Sequence, residues 1–461
     1  MKRTILLILF FLLCFGLPAQ SLSKVETGFI QGIDLSSLSV VEKNGGEFFN
    51  NNQPTDVVNL FKEKGANFVR LRLWHSPADI NYNLDYNLEL AQRIKDAGLN
   101  LLLDIFYSDT WADPSSQTKP AAWQSLSFEE LKDSVFDYTA KVISTFKSQG
   151  FLPQMVQLGN EINCGILWPD GNVCEDDSNW NNFAQLLQSA YEGLQSVLTP
   201  SDSVKIIIHS ASGGNIEQTR WFYDNLVEQG VVFDIIGLSY YPWWHGTLDD
   251  LQSNLNDAAL RYGKEIIVVE TAYPWTLEWN DDTHNSVGME SQLLDGYPAT
   301  PEGQKQFLLD EIEIIKNVSN DLGAGWFYWA PTFITSNVGS PWENLTMFDF
   351  DGNVLPAIEV FSAGSVSVED ELQTSFQLFQ NYPNPFNPST TIGFSIPESG
   401  NVRLTIYNSL GQEVKTLVQR QLGAGEHQVN FNAGGLPSGL YIYQIDVDDK
   451  FSSNKKMLLI K

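Results

Sequence analysis

The chain has 461 residues, with 27 Lys and Arg against 56 Asp and Glu for a formal net charge of -29. That length exceeds one ordinary domain and leaves room for an α/β barrel of roughly 250 residues or more beside a smaller unit. The charge excludes nucleic acid and anionic membrane, which need basic surface, and favours a neutral polymer as partner.

At the start, Lys2 and Arg3 precede an apolar run from Ile5 to Leu13, then Gly16, Pro18, Ala19 and a polar turn at Ser21. This pattern predicts a signal peptide over residues 1–20, too short for a stop-transfer helix, and an exported mature chain. Cys14 leaves with it. Cys164 and Cys174 remain, able to pair in an oxidising compartment or to stay free.

From 29 to 331, short β-branched or apolar runs alternate with stretches of helical periodicity. The predicted strands are 29–35, 68–74, 100–106, 155–161, 204–210, 233–241, 265–271 and 324–330. Helical spacing marks 86–97, 128–148, 179–197 and 302–319. Eight strands with intervening helices predict a (β/α)8 TIM barrel within residues 21–364. The alternative, an open doubly wound sheet, lacks a Gly-rich phosphate turn after the first strand. Residues 365–374 read as a linker. From 375 to 461 come short alternating runs such as VRLTIYN (402–408) and GLYIYQID (439–446), which predict a small all-β, immunoglobulin-like sandwich. This part carries seven Lys or Arg and six Asp or Glu, so the acidity lies in the barrel.

Two glutamates close predicted strands: Glu161 in MVQLGNEIN and Glu270 in EIIVVET. A carboxylate at the C-terminal end of a barrel strand faces the mouth where such barrels do chemistry. A pair of them suits a retaining glycosidase, in which one protonates the leaving oxygen and the other attacks the anomeric carbon. Asn160 beside Glu161 has an amide suited to a sugar hydroxyl.

The runs RLRLWHSP (70–77), YSDTWADP (107–114), GNEIN (159–163), LWPDG (167–171), GLSYYPWWHGTL (237–248) and VVETAYP (268–274), in this order, resemble glycoside hydrolase family 53, the endo-β-1,4-galactanases. The likeness spans about residues 29–360. It implies Glu161 as acid/base, Glu270 as nucleophile, retention of configuration, and the β-1,4-galactan of pectic arabinogalactan as substrate. Another β-glycan such as mannan or xylan is the rival within enzymes. A non-catalytic glycan-binding surface protein is the rival outside them.

Arg70, Arg72 and Trp74 share a strand face, and alternation alone does not say which arginine meets the cleft; the family likeness favours Arg70. Tyr240, near the end of the sixth strand, is a candidate donor to Glu270, with Tyr241 pointing the opposite way. Trp111, Trp244 and above all Trp329 are candidate stacking surfaces for sugar rings among the 13 Trp. His75 and His245 are placed to reach sugar hydroxyls or to cap helices. Asp104 begins Asp104-Ile105-Phe106-Tyr107, where family members read Asp-Phe-His-Tyr, so Phe106 stands in place of a sugar-binding histidine. No cofactor is required. Some relatives hold calcium after the seventh strand, where this chain offers Asn280, Asp282, His284 and Ser286, two of them weaker ligands.

The tail, with FQNYPNPFNPSTTIGFSIP (379–397) and a final KKMLLIK, is similar to type A sorting domains of the type IX secretion system. That likeness implies the export machinery as partner and a secreted or cell-surface location reached through the periplasm and outer membrane. A monomer is expected.

Overall fold

The computed structural model describes residues 28–364 and 376–460, except 79–80, 382, 397–398, 424 and 449. The expected signal peptide and linker lie outside the described residues. The chain forms two compact units, which divide between Ser365 and Val366.

Unit one is the expected barrel. Its strands are β1 (Ile30–Asp34), β2 (Phe68–Leu73), β3 (Asn100–Ile105), β4 (Met155–Leu158), β5 (Lys205–Ser210), β6 (Ile235–Tyr240), β7 (Glu265–Thr271) and β8 (Gly323–Tyr328). All neighbours pair in parallel, and β1 pairs with both β2 and β8, which closes the ring. Helices cover the outside, as parallel strands require. The helix Phe128–Ser148 starts where Ser127 and Glu130 exchange side-chain and backbone hydrogen bonds, a capping box that satisfies two otherwise orphaned N–H groups. Leu248–Tyr262 starts the same way, with Thr247 and Asp250.

Every second residue of a strand faces the barrel axis, and this sets two inner layers. The lower is apolar: Ile30, Phe68, Leu102, Met155, Ile207, Ile235, Ile267 and Phe327 pack together with almost no exposure. Phe327 fits because Gly32 lies opposite; a Cβ there would come within 2.1 Å of its ring. Two residues further along, the same faces carry Asp34 after Gly32, Arg70, Asp104, Gln157 and His209. A polar floor at the C-terminal mouth thus follows from the strand period. Residues of opposite parity, such as Leu71, Leu103, Ile208 and Val268, join the larger core under the helices.

Period two breaks near the end of β7. Pairing of β6 with β7 runs Leu238 to Val268 and then Ser239 to Glu270, so Val269 has no partner. Ile267 and Val269 both face the axis, and strict alternation would send Glu270 outward. The bulge restores it to the mouth, a common use of bulges beside active sites.

Unit two comprises β9 (Gln377–Leu378), β10 (Ser389–Ile396), β11 (Gly400–Asn408), β12 (Glu413–Leu422), β13 (Gly425–Asn432), β14 (Gly439–Val447) and β15 (Phe451–Leu459). They make two antiparallel sheets, ordered β9-β10-β13 and β12-β11-β14-β15. Ile392, Phe394, Phe431, Leu404, Ile406 and Tyr443 from both sheets share one core, giving the expected sandwich. The tail's aromatics Phe394, Phe431, Tyr441 and Tyr443 are buried, as core positions rather than a binding platform would be.

Candidate active site

Arg70 is the hub of the mouth. From β2 its guanidinium reaches Asp34 at 2.9 Å, Asp104 at 2.7 Å and Glu270 at 2.8 Å, and donates to Asn160 Oδ1 at 2.9 Å. The side chains of Arg70, Asp34 and Asp104 are 1% exposed or less. Only a fork of several donors at fixed angles satisfies that many acceptors at once, so lysine would not substitute. Arg72, also inward, lies over Trp111 at 4.2 Å and Tyr82 at 4.3 Å and touches no carboxylate of the site.

Glu270 accepts from Arg70 at Oε1 and from the Tyr241 hydroxyl at Oε2, at 2.9 Å. The expected donor Tyr240 is not the one. Its hydroxyl donates to Gly246 O at 2.9 Å, and its ring lies in the outer core near Phe307. Parity explains the correction: Ile235 faces the axis, so Gly237, Ser239 and Tyr241 do too, while Tyr240 faces the helices.

Glu161 stands beyond the end of β4, which stops at Leu158, three residues short of the expected end. Gly159 at φ +90° and Glu161 at φ 46° leave the β region and turn the side chain into the mouth. A non-glycine residue at such an angle costs of order 1–3 kcal/mol and persists where its surroundings hold it. Here the Glu161 N–H donates to His209 Nδ1 at 3.2 Å, while Oε1 accepts from the Ser239 hydroxyl at 2.6 Å. Asn160 is nearly buried, with its amide nitrogen on Ala112 O at 2.8 Å and its oxygen on Arg70, so it fixes the turn.

The two carboxyls repel one another, and both are drawn toward protonation by burial. Glu161 is pushed up to about 8, by burial first and by the Glu270 charge second. Burial raises Glu270 too, but Arg70 and Tyr241 favour its ionised form. Two donors on Glu270 against one on Glu161 favour the ionised form at Glu270 and the proton at Glu161. Asp104 is raised to about 8 by burial against the pull of Arg70.

A cavity of about 700 Å³ opens from Glu161 and is lined by Asn163, the Cys164–Cys174 disulfide, Trp221, Trp244 and His245. Glu270 is absent from its lining, so this space lies on the Glu161 side. The disulfide closes the loop after β4, its two cysteines ten positions apart in sequence. Trp244 is 62% exposed. His245 Nδ1 accepts from the Tyr241 N–H at 2.9 Å, and burial lowers the imidazole to about 4, so it is neutral with its hydrogen on Nε2. Away from that cavity, Trp329 packs on Trp342 at 4.5 Å and Trp111 at 6.2 Å, an aromatic wall with Trp111 43% exposed.

His75 is not part of this mouth. It sits half-buried, 4.5 Å from the rings of both Trp123 and Tyr138 and with Asp109 at 3.4 Å. Phe106 is buried with Trp74 and Ala112, so an apolar contact occupies the position where relatives carry histidine. Of the calcium candidates, the Asn280 N–H donates to Glu343, the Ser286 N–H donates to Pro341 O and His284 rests on Trp279. Among the described residues no three His, Cys, Asp or Glu side chains gather where they would hold an ion. Asp281, between Asn280 and Asp282, is engaged by Thr283, Thr335 and Ser340.

Sequence reasoning missed Tyr241, Ser239, His209, Gln157, Asp34 and Trp342. The parity of β5 and β6 held the signal for His209, Ser239 and Tyr241, once Ile207 and Ile235 are known to face the axis.

A family model for glycosyl hydrolase family 53 matches residues 30–361, and the chain belongs to that family. Residues 380–461 match the secretion system C-terminal sorting domain. The barrel is 39% identical over 342 residues to an arabinogalactan endo-beta-1,4-galactanase of Thermothelomyces thermophilus, covering 72% of this chain and 98% of that one. An uncharacterized protein in the bgaB 5' region of Niallia circulans is 47% identical, covering 74% and 95%. The solved family 53 catalytic domain of Ignisphaera aggregans superimposes with a TM-score of 0.68 at 38% identity, over 72% of this chain and 95% of that one. A structure from a study of two fungal beta-1,4-galactanases gives 0.64, also at 38%, over 72% and 98%.

Proposed function

We propose that the barrel is an endo-β-1,4-galactanase that cleaves galactan and type I arabinogalactan with retention. The observation that carries this reading is the unequal carboxyl pair: Glu270 held by two donors, Arg70 and Tyr241, and Glu161 by one, Ser239, beside a sugar-sized cavity. In the first step the Glu270 carboxylate attacks the anomeric carbon, the glycosidic C–O bond breaks, and Glu161 gives its proton to the departing oxygen. In the second, Glu161 takes a proton from water as that water attacks the same carbon and the glycosyl ester to Glu270 breaks, leaving a β product. These two steps run on side chains of this chain alone. The space on the Glu161 side receives the departing portion of the polymer, and the wall of Trp111, Trp329 and Trp342 is the stacking surface for the rest.

Residues 380–461 are a sorting domain, read by the type IX export machinery. The hydrolase is therefore delivered to the cell surface or the medium.

Incubating the purified full-length protein with linear galactan, β-mannan and xylan tests the specificity. Galactan should be cut internally, with the β anomer appearing first in proton NMR. Cleavage of mannan or xylan in preference to galactan, or an α product, overturns the reading. For the tail, a protein truncated after Ser365 should keep its turnover but stay in the periplasm of its native host; wild-type levels in the medium would remove the sorting role.

A further inference from the structure

His209 meets Glu161 directly at its backbone N–H and, through Ser239, at its carboxyl. Its Nδ1 lies near three groups: the Glu161 backbone N–H at 3.2 Å, the Gln157 side-chain nitrogen at 3.0 Å and Asn160 Oδ1 at 3.2 Å. The two Gln157 amide hydrogens have acceptors in Asp104 Oδ1 at 2.8 Å and Gly159 O at 3.1 Å, and Asn160 Oδ1 already accepts from Arg70 at 2.9 Å. The Glu161 N–H is fixed by the backbone and aimed at Nδ1, so that nitrogen is assigned as the bare one and Nε2 as carrying the hydrogen. That hydrogen points to Ser239 Oγ at 2.8 Å. The Ser239 hydroxyl has one proton of its own, and the oxygen that remains for it is Glu161 Oε1, at 2.6 Å. The chain of donors runs in one direction, from His209 Nε2 through the Ser239 hydroxyl to the Glu161 carboxyl. His209 and Ser239 are both fully buried, so water does not compete for these bonds.

We infer that His209 and Ser239 are positioning residues for the acid/base: they hold the turn of Glu161 in its left-handed backbone conformation and reserve Oε1 as an acceptor, so that the transferable proton is carried on Oε2. No proton passes along the relay. Arg70 and His245 are the charged and titratable groups that face the imidazole, and both oppose a second proton on it, as does its burial. His209 therefore stays neutral while Glu161 gains and loses its proton in each turnover. This inference rests on the assignment of Glu161 as acid/base, and deepens it.

The test separates departures that need an acid from those that do not. Ser239→Ala and His209→Leu should each lower kcat/KM on galactan by about 10- to 100-fold, the range for losing a hydrogen bond to a charged group. On a dinitrophenyl β-galactobioside, whose leaving group needs no proton, kcat/KM should stay within about three-fold of wild type. Because both residues act through one carboxyl, the double variant should be close to His209→Leu alone rather than the product of the two losses. His209→Gln, which returns an N–H near the Nε2 position, should recover most of the loss.

Equal losses on both substrates would mean general damage to the barrel and overturn the proposal, as would multiplicative losses or an unchanged Ser239→Ala. Nitrogen NMR of histidine-labelled wild-type protein needs no variant: His209 should show a protonated Nε2 and a bare Nδ1 from about pH 5 to about pH 8. The opposite tautomer, or an imidazolium, would sink it. Glu161→Ala belongs in the same assay. If that variant keeps kcat/KM on galactan, the acid/base assignment itself falls. If it loses galactan but keeps the dinitrophenyl substrate while Ser239→Ala does neither, only the positioning role falls.

Discussion

The ends of β4 and β7 carry the same side chain and make opposite chemistry from it. At β7 a bulge turns Glu270 inward onto two donors, Arg70 and Tyr241, within a buried ring of charge. At β4 a left-handed turn sets Glu161 at the edge of a cavity with a single hydroxyl donor, Ser239. Glutamate does not choose between nucleophile and acid; the number of donors around it does, and each donor favours the charged form. The strand geometry that delivers them differs as well, an inserted residue in one case and a reversed backbone angle in the other.

The largest test of this contrast is Glu270→Gln, which keeps the shape and both hydrogen-bonding neighbours but removes the attacking charge. Turnover on galactan should fall by about four orders of magnitude, about 5–6 kcal/mol in the barrier, with binding of an oligosaccharide nearly intact by calorimetry. Retention of a tenth of the rate would reassign the nucleophile.

Next comes the pair of adjacent tyrosines. Tyr241→Phe removes a donor from an ionised carboxylate and should cost about 10- to 100-fold in kcat/KM. Tyr240→Phe, which loses only a bond to Gly246 O, should cost about 1 kcal/mol of stability while turnover stays near wild type. Comparable kinetic losses in the two would show that the parity of β6 has been misread.

The pH profile sharpens the assignment of the acid. Glu161 must carry its proton to act and is raised to about 8, so kcat/KM should fall about tenfold per unit above that value, from a plateau bounded on the acid side by protonation of Glu270. Glu270, Asp113, Arg70, Tyr241 and Ser239 face this carboxyl and set that limb. An alkaline limb near the ordinary range of a carboxyl would mean that the site is wetter than its burial indicates.

The smallest effect is expected from a carboxyl outside the chemistry. Glu311, on the helix Pro301–Lys316, is buried against Thr271 at 2.8 Å with no basic partner, and burial raises it to about 8. Its raised value means that stability is fully present below the unfolded carboxyl value, near 4.5, and is lost as pH rises toward 8. Glu311→Gln keeps an acceptor for Thr271 and should raise the Tm by about 1–3 °C at pH 8 while changing little at pH 5. Equal shifts at both pH values would mean that Glu311 folds in the same protonation state at each.

Much of this was legible in the sequence because it depends on period two and on motif order. Eight strands, both glutamates and the arginine that meets the cleft follow from alternation, strand ends and likeness to family 53. What escaped on β5 and β6 obeys period two: His209, Ser239 and Tyr241 follow once Ile207 and Ile235 are known to face the axis, and nothing in the sequence says which face that is. Glu270 joins them only through the bulge at Val269, which no composition signal marks among Ile266, Ile267, Val268 and Val269. His75 escaped for another reason: a histidine after a strand reads the same whether it faces sugar or is packed against Trp123 and Tyr138.

The ring closed by Cys164 and Cys174 begins three residues after Glu161 and walls the side where the cleaved fragment departs. Thiols stay reduced in a bacterial cytoplasm and pair once outside it. The loop therefore acquires its covalent tie, worth roughly 3 kcal/mol in the chain-entropy account, only after crossing the inner membrane. Maturation of the enzyme is thus tied to its itinerary: the chain that leaves the ribosome still lacks a fastening that the chain arriving at the polysaccharide possesses, and a recombinant host with a reducing interior would yield the earlier form.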